Sequence, residues 1–463
     1  MRSFHCDALV IGGGPTGMAA AISAKMNGAG RVTLLEQQDF PGGMLPQCVH
    51  DGFGLHIFQK NLSGPEYALY YKNRLAEWNV EQYCGTTVFS VGADKTVTCA
   101  GGELGFARIS AKAVIIATGC KEKTRGALRI PGSRPAGVYT AGAAQYMVNI
   151  QNYLPGRSVV ILGLGDIGLI MARRLTLEGA RVKLVLGLEA AGLQRNMVQC
   201  VYDFNIPLKV GYTVSRIHGA KRLKGVTITR ADAPGAEAYV PCDTLLLSAG
   251  LTPDAAVLSE TEIRKSVEGG IVIDACGRTS IEGIFACGNV VKTHDLVDHV
   301  TAAGEIAGFY AAAYIKGAGG GTDFPRRAGN FMPEPKGLPN LPTDTENTKY
   351  RLCTVCPSCC TLKCVLENGS WSVSGNTCPK GTDYGLQDVV NPLRVVTTTV
   401  KYANGKRRLL PVKTDASIPM AKIRDIMRLC RRITVSGPVK TGSIILRDAA
   451  GTEANIVACD DSR

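Results

Sequence analysis

The chain alternates short apolar runs with glycine-rich turns and longer stretches of helical pattern. Residues 7–11 (DALVI) are apolar and of strand length. They run into Gly12-Gly13-Gly14-Pro15-Thr16-Gly17 and then into a small-residue stretch from Met18 onward. An apolar run bounded by turn signals reads as a buried strand, and the alanine-rich stretch after it as a helix. A second strand (RVTLLEQ) ends at Glu36. The same order returns from residue 158: SVVIL, then Gly163-Leu-Gly165-Asp166-Ile167-Gly168, a helical stretch, and a strand at 181–187. Further buried strands run into Ala117-Thr118-Gly119 and into SAGLTPD at 248–254. From residue 269 the chain returns with GIVIDACGRTSIEGIFACGNVV, followed by a helical stretch over 295–315.

After Lys316 the pattern breaks into a glycine- and proline-rich segment that reads as a linker. Residues 350–463 then form a separate small domain. In it the pattern predicts a hairpin over 394–412 with Asn404-Gly405 as a type I′ turn. It also predicts an amphipathic helix over 420–432 and closing strands near SIILRD and ANIVAC. The expected architecture is α/β: two Rossmann-like dinucleotide-binding domains (three-layer ββα) and a small C-terminal cysteine-rich α+β domain. The expected boundaries are 1–120 with 270–316 for the first domain, 121–269 for the second, 317–349 for the linker and 350–463 for the last.

Each Gly-x-Gly-x-x-Gly follows a strand and opens a helix, the context in which the motif cradles a pyrophosphate. The glycines allow close backbone approach, and the helix N-terminus offers free N–H groups and a partial positive charge. Glu36 lies 24 positions after Gly12, where an acid accepts ribose hydroxyls. Two loops imply two dinucleotides, a flavin and a nicotinamide. In the second loop the equivalent position is Gly187, so that ribose clamp is absent. Glu189 is a candidate substitute, and Arg181 and Lys183 are candidates for a 2′-phosphate, which leaves NAD and NADP both open.

At 463 residues and 45% hydrophobic content the chain is globular with ample core. No apolar run approaches a membrane span, and a strand begins almost at once, so a cytoplasmic location without a secretory signal is expected. Seventeen cysteines then argue for a reducing compartment. The net charge is +13, and residues 350–463 carry 17 Lys+Arg against 9 Asp+Glu. Aromatic residues do not interleave with the basic runs, which disfavours nucleic acid as a partner. A solvated basic face, a docking surface for an acidic partner and compensation for an anionic cluster remain.

Six cysteines fall between Cys353 and Cys378. Cys353, Cys356, Cys360 and Cys378 have the form of a [4Fe–4S] ligand set, three from one tight loop and one from a later turn. A rival set is Cys353, Cys356, Cys359 and Cys364, and structural zinc uses the same residue types. In the first half, Cys48 and His50 follow the flavin strand, and His294 with Asp295 precede the last helix. All four are candidates for chemistry at the flavin.

Residues 1–315 resemble the two-dinucleotide-binding flavoprotein family of thioredoxin and glutathione reductases, through VIGGGPTG, Glu36, ATG at 117–119, the second glycine loop, SAGLTPD and GIFACGN. The resemblance implies FAD on Gly12, Gly14, Pro15, Thr16 and Gly17, with Glu36 and Gln37 at the adenosine. It further implies FAD contacts at Gly43, Met44, Val88 and Ala117–Gly119. Gly288 and Asn289 would meet the ribityl and pyrophosphate, Asn289 standing where the family usually has Asp. Leu296 and Val297 would open a helix aimed at the flavin. The nicotinamide would take Gly163, Gly165, Asp166, Ile167, Gly168 and Gly250.

The cysteine pairs of those reductases have no counterpart here: Cys48 stands alone, and residues 156–250 hold only the distant Cys200 and Cys242. The cysteine spacing resembles the N-terminal cluster module of molybdopterin-dependent oxidoreductases. QCVHDGFG, LSGPEYA, ATGCKEKTRGALRIPGSRPAGVYTAG and GNVVKTHDLVDHV resemble the flavoprotein encoded beside anaerobic-type glycerol-3-phosphate dehydrogenases. The C-terminal part, with TTTVKY, LPVKT and VSGPVKTG, resembles a cysteine-rich protein of unknown function from the same neighbourhoods. Together these imply an FAD-dependent NAD(P) oxidoreductase, the electron-transfer subunit of a hetero-oligomer whose partner is an FAD-dependent, glycerol-3-phosphate dehydrogenase-like subunit. The alternative is a self-sufficient NAD(P)H oxidase or reductase with a zinc-stiffened C-terminal domain.

Overall fold

The computed structural model describes residues 2–189, 195–233, 235–293, 296–317, 342–355, 360–403 and 408–461. The helices in chain order are α1 (Pro15–Met26), α2 (Gly64–Glu77), α3 (Ala141–Asn149), α4 (Asp166–Leu177), α5 (Arg195–Tyr202), α6 (Val297–Ile315), α7 (Pro379–Val390) and α8 (Ile423–Arg432). Among the described residues no helix is long and apolar enough to cross a membrane. The chain forms two compact units, Met1–Lys121 with Leu251–Asn330, and Glu122–Gly250 with Phe331–Arg463.

The first unit is built on a sheet whose central strand, Arg2–Ile11, lies parallel between Val32–Leu35 and the long strand Gly105–Ile116. Ile284–Ala286 adds to the far side of that long strand, in register with Val114–Ile116. An antiparallel arm, Thr86–Val91 and Thr96–Gly101, extends the sheet. α1 and α6 pack on one face. They touch through backbone: a Cβ on Gly304 would lie 2.2 Å from the Thr16 carbonyl oxygen, and one on Gly308 would lie 2.2 Å from that of Ala20. Residues 251–269, expected in the second domain, belong here instead. Ala255, Leu258 and Ile263 bury themselves in the cluster that covers the other face of this sheet.

The second unit begins with a five-stranded parallel sheet in the order Val138–Thr140, Thr244–Leu247, Ser158–Leu162, Arg181–Gly187, Leu208–Val210. α3, α4 and α5 bury one face, and a three-stranded antiparallel sheet (Tyr212–Gly219, Leu223–Arg230, Glu237–Pro241) packs on the other. The C-terminal module has its own cores yet packs on this domain. Thr348–Leu352, Thr361–Glu367 and Ser370–Ser374 form an antiparallel sheet under α7. A five-stranded sheet around Thr397–Tyr402 and Leu409–Thr414 lies under α8.

The expected hairpin is present: Lys401 pairs with Leu409, and the Tyr402 N–H donates to the Arg408 carbonyl. Residues 404–407 themselves lie outside the described residues. Burial sets the register: it places Val400 opposite Leu410 and Thr398 opposite Val412, all four buried, and a slip would turn them outward.

Buried charge ties the module to the domain. Arg394 grips both carboxylate oxygens of Asp203 at 2.7 and 2.8 Å and donates to Asp388 at 2.6 Å, while Arg351 reaches the second Asp388 oxygen at 3.1 Å. Arg174, 5% exposed on α4, donates to Asn149 at 2.7 Å and to Thr398 at 3.0 Å, and pairs with Glu178 at 2.7 Å.

Gly308→Ala should destabilise the first unit by about 1–3 kcal/mol in urea unfolding, the reverse of the usual gain from Gly→Ala in a helix. Arg394→Ala leaves two buried carboxylates short of a cation and should cost about 3–5 kcal/mol. Unchanged unfolding midpoints would contradict these packing assignments.

Candidate functional site

The first glycine loop is held by close contacts. Gly12 has φ +102°, and a Cβ there would lie 2.4 Å from the Ala117 carbonyl oxygen. A Cβ on Gly17 would lie 1.8 Å from that of Gly12. The end of the Arg2–Ile11 strand, the start of α1 and the turn at 117–119 therefore meet at one place. Gly288, at φ +75°, approaches Thr16 so closely that a Cβ would be 2.6 Å from its hydroxyl oxygen. Beside it the Asn289 amide lies 3.7 Å from the Cys120 sulfur.

α1 starts after Gly14 with Pro15 at its head, no side-chain cap and no acid in its first turn. Its first N–H groups are thus left for a ligand. Above Gly14 the nearest atom to a built Cβ is the Gly43 Cα, 4.0 Å away. The Gly42 N–H donates to the Gly13 carbonyl at 2.7 Å, which folds Gly43 and the exposed Met44 over the loop. This is a cradle for a pyrophosphate.

Glu36 is buried, and its oxygens accept from the Gly13 and Gln38 N–H groups, both at 2.7 Å. Burial pushes its carboxyl above the ordinary glutamate range, against the pull of those N–H groups and of Gln37. Two bonds of this kind leave lone pairs for ribose hydroxyls. Val88 lies on the strand whose first N–H, from Thr86, donates to the Glu36 carbonyl at 2.8 Å. Its side chain packs against the cluster containing Ile11 and Leu35. Leu296 and Val297 open α6, which has no side-chain cap. The turns at 12–17, 117–119 and 288, with Gly43 and Glu36, thus surround the head of α1, and they fit an FAD.

A feature that the sequence reading missed lies at the head of α6. Asp298 is buried, and its oxygens accept from the His56 N–H at 3.1 Å and the Tyr67 hydroxyl at 3.3 Å. Tyr67 also meets Thr301 at 2.9 Å. This pins residues 51–63 to the helix start. The visible signal was an acid in a first helical turn, which reads as ordinary dipole compensation.

Cys48 and His50 lie on the segment leading there. A Cβ on Gly64, at the start of α2, would come 2.8 Å from the Cys48 Cβ. His50 Nδ1 donates to the Asp51 carbonyl at 3.0 Å, and its ring lies 4.9 Å from that of Phe53. His294 and Asp295 lie outside the described residues.

The second loop repeats the first. Gly163 has φ +127°, with a built Cβ 2.0 Å from the Ser248 carbonyl oxygen. Gly168 approaches the Gly163 carbonyl oxygen, with a built Cβ at 2.4 Å, and Gly165 has nothing within 4 Å. α4 has no side-chain cap. Asp166 stands in its first turn, and Ile167 is 39% exposed. Gly250 accepts the Lys123 N–H at 3.0 Å. At position 187 a Cβ would lie 3.0 Å from the Leu164 nitrogen, so a side chain there would crowd the loop.

Glu189 is exposed just past this strand. Arg181 and Lys183 do not serve a 2′-phosphate here. The strand Arg181–Gly187 points its C-terminal end at the loop, and six residues put Arg181 roughly 20 Å back.

In the C-terminal module Cys353 and Cys360 are buried, and the Cys353 N–H donates to the Cys360 carbonyl at 2.9 Å. The Cys360 sulfur lies 3.2 Å from the Thr377 hydroxyl, next to Cys378, which holds the N-cap position of α7 without a side-chain cap bond. Cys360 thus lies near Cys378 at the head of α7, and Cys353 adjoins Cys360 through the backbone. Cys356 and Cys359 lie outside the described residues. Among the described residues, no three of His, Cys, Asp and Glu are set to hold a metal ion. Cys364 sits in the core, about 10 Å along its strand from Thr361. Its thiol faces the Gly385 carbonyl at 3.9 Å, and burial pushes it up. Cys364, the fourth member of the rival set, thus shares one buried cluster with Cys353 and Cys360.

Two uncapped helix heads, each behind a glycine turn and one beside a buried glutamate, define a two-dinucleotide flavoprotein. Residues 6–307 match the profile of the pyridine nucleotide-disulphide oxidoreductase family, and the chain belongs to that family. Its two glycine-loop cradles fit the flavin and nicotinamide dinucleotides of that family. Residues 379–460 match a family described only as a protein of unknown function, DUF1667. The chain is 28% identical to one subunit of the opine oxidase of Rhizobium meliloti over 62% of its own length and 59% of that protein, so it spans about three fifths of this relative. It is 27% identical to thioredoxin reductase of Listeria monocytogenes, over 67% of this chain and 94% of that one. The fold matches T. acidophilum thioredoxin reductase with a TM-score of 0.55 and 24% identity, covering 68% of this chain and 99% of that one.

Gly14→Asp and Gly165→Asp place a capping carboxylate on each cradle without a steric clash. Gly14→Asp should yield folded protein lacking FAD. Gly165→Asp should keep FAD but lose its bleaching by NAD(P)H. Bleaching at the unmodified rate would remove the nicotinamide pyrophosphate from that loop.

Proposed function

We propose that this chain is the electron-handling subunit of a heteromeric dehydrogenase, moving electrons between NAD(P)(H), FAD and a [4Fe–4S] cluster held by Cys353, Cys356, Cys360 and Cys378. The observation that carries this reading is the distribution of thiols. The nicotinamide domain has no cysteine pair, whereas six cysteines crowd between 353 and 378 on a module packed against that domain. The chain's own residues do the holding. Glu36 accepts at the adenosine ribose, α1 and α4 receive the pyrophosphates, and Cys378 stands at the head of α7 with Cys360 close by. When bound, FAD takes two electrons as hydride and releases them one at a time, which is what couples a nicotinamide to a one-electron cluster. Tyr384 of α7 joins the two parts: it accepts from Gln199 of α5 at 2.6 Å and meets Thr354, beside Cys353, at 3.4 Å.

The partner in this reading is an FAD-dependent dehydrogenase subunit oxidising a small hydroxy- or amino-compound, with glycerol 3-phosphate as the first substrate to test. The likeness to an opine oxidase subunit supports a heteromer. The location in this reading is the cytoplasm.

Protein purified without oxygen should contain about four irons and four acid-labile sulfides per chain and give a paramagnetic signal on reduction. Cys360→Ser should abolish both, and Cys359→Ser neither. One zinc and no sulfide would replace this reading with a self-sufficient NAD(P)H oxidase or reductase.

A further inference from the structure

A cleft of about 1010 Å³ opens between the nicotinamide domain and the C-terminal module, both in the second unit. One wall carries Arg181 and Lys183, and the other carries Arg424, Arg428 and Arg431 from α8. The three arginines follow one another at spacings of four and three, so they share one helix face and span about 10 Å. Between the walls the floor is apolar, with Ile206 and Met427 buried and Phe204 half-buried.

Local partners answer only part of this charge. Arg428 pairs with Asp425 on its own helix. Arg431 donates to the Leu177 carbonyl at 2.8 Å and lies 3.6 Å from Glu178, and Lys183 donates to the Pro241 carbonyl at 2.7 Å. Arg181 and Arg424 make no ion pair among the described residues. Five cations thus face one another with two carboxylates nearby, an arrangement that an anion between the walls stabilises. The cleft lies at the opposite end of the Arg181–Gly187 strand from the glycine loop, so it is separate from the nicotinamide cradle.

We propose that this cleft binds an organic polyphosphate, with its phosphates on Arg181, Arg424 and Arg428 and its uncharged body on Phe204 and Ile206. Four of the five cations are arginines, whose planar forks suit phosphate oxygens. The volume is that of a site for one small ligand, and the apolar floor calls for a ligand with a carbon body. Because both walls contribute, the ligand joins the module to the domain.

Calorimetry on the FAD-loaded full chain, with ATP, coenzyme A and inorganic tripolyphosphate as probes, tests this. ATP and coenzyme A should bind, tripolyphosphate more weakly, and Gly165→Asp should leave ATP affinity unchanged. Arg424→Ala with Arg428→Ala, both exposed residues, should weaken ATP at least about tenfold. Arg432→Ala, on α8 but outside the cleft, should not. Absence of ATP binding, its loss in Gly165→Asp, or indifference to the double substitution would overturn the proposal. So would a polyglutamate peptide displacing ATP, which would make the cleft a surface for acidic polypeptide.

Discussion

Backbone pressed against backbone is the constraint on which the flavin half depends. At Gly12 and Gly17 a carbonyl oxygen occupies the space a Cβ would need, and at Gly304 and Gly308 helix α6 lies directly on the carbonyls of α1. The first contact points the head of α1 past the strand end, and the second brings the head of α6 to the same place. A helix head offers its N–H groups only if nothing else satisfies them, and neither helix has a side-chain cap. Close packing and ligand binding are therefore one arrangement. Gly163 and Gly168 repeat it in the nicotinamide domain, with the Ser248 carbonyl in the role of Ala117.

The C-terminal module is held on different terms. Arg394, Asp203, Asp388, Arg351 and Arg174 bring charge into a largely water-free contact, and each charge is answered within hydrogen-bond distance. Such a network adds little net stability compared with apolar packing, but a wrong docking would leave a charge buried and unpaired. It fixes orientation. The Gln199–Tyr384–Thr354 chain runs from α5 to the residue after Cys353, so Cys353 has a set position on the nicotinamide domain.

The glycine loops and Glu36 were legible because each is local: strand, turn and helix head lie within about 30 residues. The α6 glycines were legible in principle as a small-xxx-small pair, but an apolar helix rich in alanine hides them. Arg394 and Asp203 lie 191 positions apart and Arg174 and Thr398 224, and no local pattern announces such pairs. Arg181 and Lys183 misled because proximity in sequence to Gly187 ignores strand direction. The hairpin strands were legible from the apolar pattern on either side of Asn404-Gly405, and burial of Val400 and Leu410 fixes how they pair. Residues 251–269 carry weak periodicity, and only their burial against the first sheet assigns them.

Burial also sorts the thiols. Desolvation pushes Cys6 and Cys287 up to about 12 and Cys242 up to about 11, and Cys364 moves the same way. Thiols held neutral in this way are poor nucleophiles and poor ligands, whatever their sequence neighbours. Cys287 shows the point, because it adjoins Gly288 at the flavin cradle yet stays fully packed. Cys378 differs from these in place: it is half-buried and stands as the N-cap residue of α7.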